Sequence, residues 1–195
     1  MSTHAIKNNL RRHCLARRHR LTPKDIAQAS HQIIQHIQAL ESYQKSQHIG
    51  WYYPVQGEVD LSALWQQALI TAKSCYCPVV QADKTLLFLP FTTKTTWRTN
   101  RYGIAEPAVP LTEEKPIHQL DLIFLPVVAF DLSLSRLGSG GGYYDKTLAE
   151  FHPYLIGVAY EWQKQASIPT EPWDIKLDMV ITDASIIPMA SNSRY

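Results

Sequence analysis

The chain has 195 residues, 45% hydrophobic and 18% charged, with a formal net charge of +2. That length suits one domain whose core needs no disulfide or metal staple. The apolar fraction excludes a disordered chain, and no run approaches the ~20 apolar residues of a membrane span.

In chain order, Ser2 or Thr3 caps a first helix predicted to reach about His19. The first 24 residues carry seven basic side chains and no acidic one, so the remainder is net acidic. Such a start suits phosphate, nucleic acid or an anionic membrane, or is a plain solvated face. It also resembles an organelle transit peptide, but Ser is scarce and no apolar signal-peptide core is present. The expectation is a cytoplasmic chain with no membrane partner. Thr22-Pro-Lys-Asp25 restarts the chain as cap, helical proline and first-turn acid. Ile26, Ala29, Ile33, Ile34, Ile37 and Leu40 then mark an amphipathic second helix.

His48 to Tyr53 reads as a strand, and Leu61, Leu64, Trp65, Ala68, Leu69 and Ala72 as the stripe of a third helix. Cys75 to Val80 and Thr85 to Leu89 are further strands. Cys75 and Cys77 alternate, so they point the same way. With Cys14 they make an odd number of thiols, expected buried and reduced, and no Cys or His spacing suits zinc. Phe91 to Gln119 is a long aperiodic excursion of the kind that is more often functional than idle. Leu122 to Phe130 is a nearly unbroken apolar run, as in a strand buried on both faces. Tyr144 to Phe151 is predicted helical, and Tyr154 to Tyr160 and Leu177 to Thr182 are the last strands. Alternating strands and helices predict an α/β fold: a three-layer sandwich with a mainly parallel central sheet and helices on both faces. The whole chain, 1–195, is read as one domain.

Four of the eight glycines lie between Gly138 and Gly142. They sit between the buried strand and a helix start, where an open parallel sheet binds its ligands. Consecutive glycines let backbone amides converge on an anion; Arg136 precedes them, and Asp145 and Lys146 follow. Gly does not immediately precede Lys, so this is not a Walker loop, and Tyr143 occupies the third glycine position of the dinucleotide fingerprint. Phosphate binding is the expectation, against a flexible surface loop as the plain alternative.

The run Arg136-Leu-Gly-Ser-Gly-Gly-Gly-Tyr-Tyr-Asp-Lys146, preceded by Asp121-Leu-Ile-Phe-Leu-Pro-Val-Val-Ala-Phe-Asp131, closely resembles the signature of the 5-formyltetrahydrofolate cyclo-ligase family. Lys7-Asn-Asn-Leu-Arg11 resembles its amino-terminal ATP-contacting segment. Tyr53-Pro-Val-Gln-Gly-Glu-Val-Asp60 is similar to its folate-binding strand end, and Tyr102-Gly-Ile-Ala-Glu-Pro107 to its central loop. The resemblance implies a ligase of folate one-carbon metabolism. It would use ATP and a magnesium ion to cyclise 5-formyltetrahydrofolate to 5,10-methenyltetrahydrofolate, releasing ADP and phosphate.

The resemblance further implies ATP contacts from Lys7, Arg11, Arg136, Leu137, Gly138, Ser139, Gly140, Gly141, Gly142, Tyr143 and Tyr144, with Arg136 and Tyr143 catalytic. Tyr53 and Glu58 would bind folate, and Asp145 and Asp178 would hold Mg2+. Trp97, Lys94 and Arg98 are further candidates for the folate site without an assigned role. Three positions depart from the family pattern: Val127 where Gly is common, Ser139 where an aromatic or basic residue is common, and Lys146, which keeps the charge but lacks the planar fork of the Arg that many members have. The expected partners are the two small-molecule substrates, with no nucleic acid and a monomeric chain. The rival readings are a phosphate-binding enzyme that does not hydrolyse ATP, and a nucleic-acid module built on the basic helix.

Overall fold

The computed structural model describes residues 2–189. Helix α1 (Thr3–Arg18) is capped by Ser2, whose hydroxyl accepts the Ala5 amide. Helix α2 (Pro23–Gln38) starts on the anticipated device: the Thr22 hydroxyl accepts the Asp25 amide at 3.2 Å while Asp25 accepts the Thr22 amide at 2.9 Å. Such a reciprocal cap is worth about 1 kcal/mol. Short α3 (Glu41–Lys45) precedes β1 (His48–Gly50), and α4 (Ser62–Ile70) carries the chain to β2 (Ser74–Val80) and β3 (Leu86–Phe91). The long excursion holds a small hairpin, β4 (Trp97–Thr99) with β5 (Ala105–Pro107), and two single 3-10 turns. Then come β6 (Leu122–Pro126), β7 (Ala129–Phe130), β8 (Arg136–Leu137), α5 (Tyr143–Thr147), β9 (Tyr154–Val158), β10 (Met179–Ile181) and β11 (Ile186–Pro188).

The expected α/β sandwich is what the chain forms. Its main sheet runs β11-β10-β9-β6-β1-β2-β3, parallel through the five inner strands and antiparallel at both edges. One face packs under α2, α3 and α4: Ile33, Ile37, Tyr43, Leu64 and Trp65 meet Ile49, Cys75, Cys77, Leu122 and Phe124. Trp51 stacks on Phe124 with ring centroids 4.9 Å apart. Full burial of such a ring contributes roughly 1.5–3 kcal/mol. The opposite face is covered more thinly, by Leu148 behind α5 and by Leu120, Leu134 and Leu177 over Phe88, Ile123, Leu125 and Leu155. Helix α1 belongs to a third cluster, where Cys14 meets Ala129, Leu137 and Ile168. The three cysteines are free and buried, and Cys75 and Cys77 share one face as alternation requires. Burial pushes the Cys75 thiol up to about 11.

Beyond shifts of one or two residues at other ends, three departures from the expected boundaries shape the site. Strand β1 stops at Gly50, because after the Trp51 amide bonds to Tyr76 the backbone turns out of the sheet. The apolar run 122–130 is two strands, not one. Gln163, reaching in from residues far along the chain, donates to the Val127 and Val128 carbonyls at 2.6 and 2.8 Å. The chain therefore leaves the sheet, and β7 pairs with β8 in a separate hairpin that precedes the glycine loop. Buried Asp131 shapes that hairpin by accepting the amides of Ser133, Ser135 and Ile168. Helix α5 ends at Thr147, four residues early, where Leu148 turns into the core.

Candidate active site

From β1 the chain crosses through α4 to β2 on one side, and β6 later joins β1 on the other. Connections that leave in opposite directions open a crevice at the carboxyl ends of the strands. A cavity of about 890 Å³ lies there, large enough for more than one small molecule. Residues just after β1 form one wall, β8 through α5 another, and α1 a third.

Helix α1 turns an unusual face inward. Lys7, Cys14 and Arg18 are buried and Arg11 is half-buried. At positions 7, 11, 14 and 18, where an amphipathic helix normally carries apolar residues, this helix places three cations and a thiol. Lys7 is ion-paired with Asp174, and the Arg11 Nε donates to the Gly138 carbonyl at 2.9 Å, tying α1 to the glycine loop. Burial lowers the Arg11 guanidinium, partly offset by Asp174 and Asp145. Arg12, Arg17 and Arg20 point to solvent, with Arg17 stacked 4.6 Å over the Trp162 ring. The basic start is thus half cavity wall and half solvated face.

The glycine loop needs its glycines most clearly at Gly140 and Gly142, whose φ values are +100° and +72°. A Cβ at Gly140 would also press on the Arg11 side chain at 3.4 Å. Helix α5 has five residues, so its dipole adds little here, and the positive potential comes from side chains. Arg136 is 9% exposed; its Nη2 donates to Asp145 Oδ1 at 2.8 Å and its Nη1 to the Ile175 carbonyl. Asp145 Oδ1 accepts the Ile175 amide as well. Arg136 is thereby fixed at the loop's base.

A roof closes over the loop from the long excursion. Buried Glu106 accepts the Val80 amide and the Asn100 side-chain amide, anchoring the β4–β5 hairpin to the end of β2. Asn100 in turn accepts the amides of Tyr102 and Ile104. The Tyr102 hydroxyl lies 2.6 Å from that of Tyr143, and Arg101 donates to Tyr143 at 3.1 Å. Hydrogen bonding with Tyr102, then with Arg101, lowers the Tyr143 phenol, whereas the same contact raises that of Tyr102.

At the other end sits Glu58, its side chain 9% exposed. Its Oε2 accepts the Val55 amide at 3.1 Å, and its Oε1 stands 3.4 Å from Arg18 Nη1. Burial raises this carboxyl, and the Arg18 charge followed by the Val55 amide opposes the rise. Tyr53 lines the cavity beside it and packs on Trp65 and Trp97.

Of the expected site residues, Lys7, Arg11, Tyr53, Glu58, the whole run Arg136 to Tyr144, and Asp145 therefore surround one cavity. Asp178 does not join them. It is 3% exposed, its Oδ2 accepts the Leu155 amide at 2.9 Å, and it lines a different cavity with His152 and Lys176. Trp97 belongs to the aromatic cluster behind Tyr53, and Arg98 lies 3.7 Å from Glu106; neither they nor Lys94 are in the cavity wall. Lys146 is tied to Asp83, and Val127 is buried behind the loop. Arg18 and Tyr102 went unassigned by sequence reading. The seven-residue step from Arg11 would have placed Arg18 on the inward stripe.

Known proteins resemble this chain along most of its length. The model of the 5-formyltetrahydrofolate cyclo-ligase family matches residues 3–183. A 5-formyltetrahydrofolate cyclo-ligase from Haemophilus influenzae is 35% identical over 162 residues, 80% of this chain and 87% of its own. One from Escherichia coli is 31% identical over 175 residues, 87% of this chain and 96% of its own. The solved structure of Aquifex aeolicus 5,10-methenyltetrahydrofolate synthetase superposes with a TM-score of 0.86 at 30% identity, covering 97% of this chain and 95% of that one. With the family match running from the basic helix α1 through the glycine loop to β10, the chain belongs to the 5-formyltetrahydrofolate cyclo-ligase family.

Proposed function

We propose that this chain is an ATP-dependent ligase that cyclises 5-formyltetrahydrofolate to 5,10-methenyltetrahydrofolate, with release of ADP and phosphate. It acts as a single-domain cytoplasmic monomer on small-molecule substrates alone; among the described residues no helix is long and apolar enough to cross a membrane. The observation that carries the reading is the polarity of the cavity. Lys7, Arg11 and Arg136 gather at the glycine loop, and a buried carboxylate, Glu58, stands where the chain leaves β1. A polyphosphate requires the first, and a pterin ring rich in N–H donors requires the second.

In this reading Lys7, Arg11, Arg136 and the amides from Leu137 to Tyr144 hold ATP. Glu58 accepts hydrogen bonds from the pterin 2-amino group and a ring N–H, with Tyr53 against the ring system. The formyl oxygen attacks the γ-phosphorus as the bond to the ADP oxygen breaks. The 10-nitrogen then attacks the activated carbon and loses its proton, and phosphate departs with the carbon–oxygen electron pair. Aligning two substrates in one cavity supplies most of the catalysis. Arg136, held by Asp145, presents fixed charge to the transferring phosphoryl group, and Tyr143, its phenol lowered, donates a hydrogen bond to it.

A magnesium ion, when bound, neutralises charge on the β- and γ-phosphates. Asp145 fits that role in the cavity wall, since Arg136 and Ile175 engage its Oδ1 and leave the second oxygen for a metal. Magnesium is commonly held by one or two carboxylates plus substrate phosphates. Among the described residues no cluster of three or more acidic, His or Cys side chains forms a metal site, so Asp145 would hold the ion together with nucleotide oxygens. Asp178 lines a different cavity from the glycine loop and is left out of this reading.

ADP release from ATP should therefore depend on added 5-formyltetrahydrofolate, stop with a chelator and return with magnesium. ATP hydrolysis at the same rate without folate would contradict the reading, and so would phosphate binding without any ADP formed.

A further inference from the structure

The cationic stripe of α1 ends on Arg18, a residue that the roles above do not use. Lys7 and Arg18 are eleven residues apart, about 16 Å along a helix, so one face of α1 serves both ends of the cavity. Arg18 is 3% exposed, and its Nε donates to the Gln56 carbonyl at 3.1 Å. Its Nη1 is buried, makes no hydrogen bond among the described residues, and stands 3.4 Å from Glu58 Oε1. Buried donors are nearly always satisfied, so an unspent one beside a cavity carboxylate requires an explanation.

The local backbone supplies one. Val55 to Glu58 is a tight turn, closed by the Glu58 amide bonding to the Val55 carbonyl at 3.0 Å. Both central residues have positive φ, 50° at Gln56 and 76° at Gly57, the signature of a type I′ turn that a non-glycine residue adopts under strain. The turn therefore needs an external grip, and the Gln56 carbonyl is where Arg18 takes hold. We propose that Arg18 is a positioning residue for the folate: it clamps the Val55–Glu58 turn and holds the Glu58 carboxylate aimed into the cavity. This role rests on Glu58 binding the pterin.

The titratable groups around Glu58 are Arg18 from α1, Tyr52 after β1, Tyr144 in α5 and Tyr160 after β9, with Asp60 in its own loop. Burial raises all three phenols, so they stay neutral near neutral pH. Arg18 is thus the positive charge that opposes the burial-driven rise of the Glu58 carboxyl. Without that charge Glu58 protonates at higher pH, and folate binding weakens as pH falls.

The test is the KM for each substrate across about pH 5.5 to 8.5, for the wild-type enzyme, Arg18→Met, Arg18→Lys, Glu58→Gln and the Arg18→Met/Glu58→Gln double variant. Arg18→Met should raise the folate KM roughly tenfold near pH 6, leave the ATP KM within about twofold, and move the acid limb up by about one pH unit. Arg18→Lys should return the limb toward the wild-type position, and the double variant should be no worse than Glu58→Gln. An equal, pH-independent penalty on both substrates, or a Lys variant no better than Met, would overturn the proposal. If Arg18→Met does not fold, Arg18→Lys decides: a raised folate KM beside an unchanged ATP KM supports the clamp, and equal changes overturn it. A normal Glu58→Gln penalty beside an inert Arg18→Met overturns the clamp alone, whereas an unaffected folate KM in Glu58→Gln overturns the pterin assignment and the clamp with it.

Discussion

Replacing Arg136 by alanine should lower kcat for methenyltetrahydrofolate formation by roughly 10²–10³-fold, the loss typical when one preorganised charge-stabilising group is removed. The guanidinium is buried, held by Asp145 at 2.8 Å and by the Ile175 carbonyl, and lines the cavity beside the glycine loop. It spends no free energy on reorientation when the phosphoryl group transfers. Its loss leaves Asp145 and the Ile175 carbonyl without that donor, a cost of about 1–3 kcal/mol. Asp145 is 27% exposed and can recruit water, so the variant should fold and melt at lower temperature. Lysine at this position should restore little, because it cannot serve Asp145 and Ile175 from one planar fork. Steady-state kinetics with a thermal melt of the same preparation separates the two effects. A folded Arg136→Ala enzyme with near-normal kcat would remove Arg136 from the chemistry.

Glu58→Gln should act on binding instead, raising the folate KM by roughly 10- to 100-fold while the ATP KM changes little. The substitution is isosteric but turns one acceptor into a donor, facing either the Val55 amide or Arg18 Nη1. Each mismatched buried contact costs about 1–3 kcal/mol, and the pterin loses a charged acceptor as well. Lys7 and Arg11, proposed to hold ATP, stand about three and two helical turns from Arg18, the partner of Glu58, so their contacts should be spared. Parallel determination of both KM values checks this, and equal losses for the two substrates would count against a folate role for Glu58.

What could be read from the sequence was what short-range chemistry determines. The Thr22–Asp25 cap, the stripe of α2 and the shared face of Cys75 and Cys77 all follow from residues within one or two turns, and the structure has them in place. The glycine crowding likewise pointed to bare backbone, and Gly140 and Gly142 use it for positive φ. Features built by distant partners were not legible. The break between β6 and β7 depends on Gln163, the roof on Tyr102 meeting Tyr143, and the Arg18–Glu58 contact joins residues forty positions apart. Asp178, expected with Asp145 as a magnesium ligand, lines a different cavity, and its Oδ2 accepts the Leu155 amide of a strand far away in sequence. The basic start changed meaning for a related reason. Charge counting could not tell a solvated face from a cavity wall, whereas burial of Lys7 and Arg18 separates them.

The most direct test of the central claim is to follow the ultraviolet absorbance of 5,10-methenyltetrahydrofolate after adding the purified chain to 5-formyltetrahydrofolate, with and without magnesium and ATP. The account predicts that absorbance rises in the complete mixture alone, with one ADP formed for each methenyltetrahydrofolate. No rise in the complete mixture, or a rise that proceeds without ATP, would contradict it.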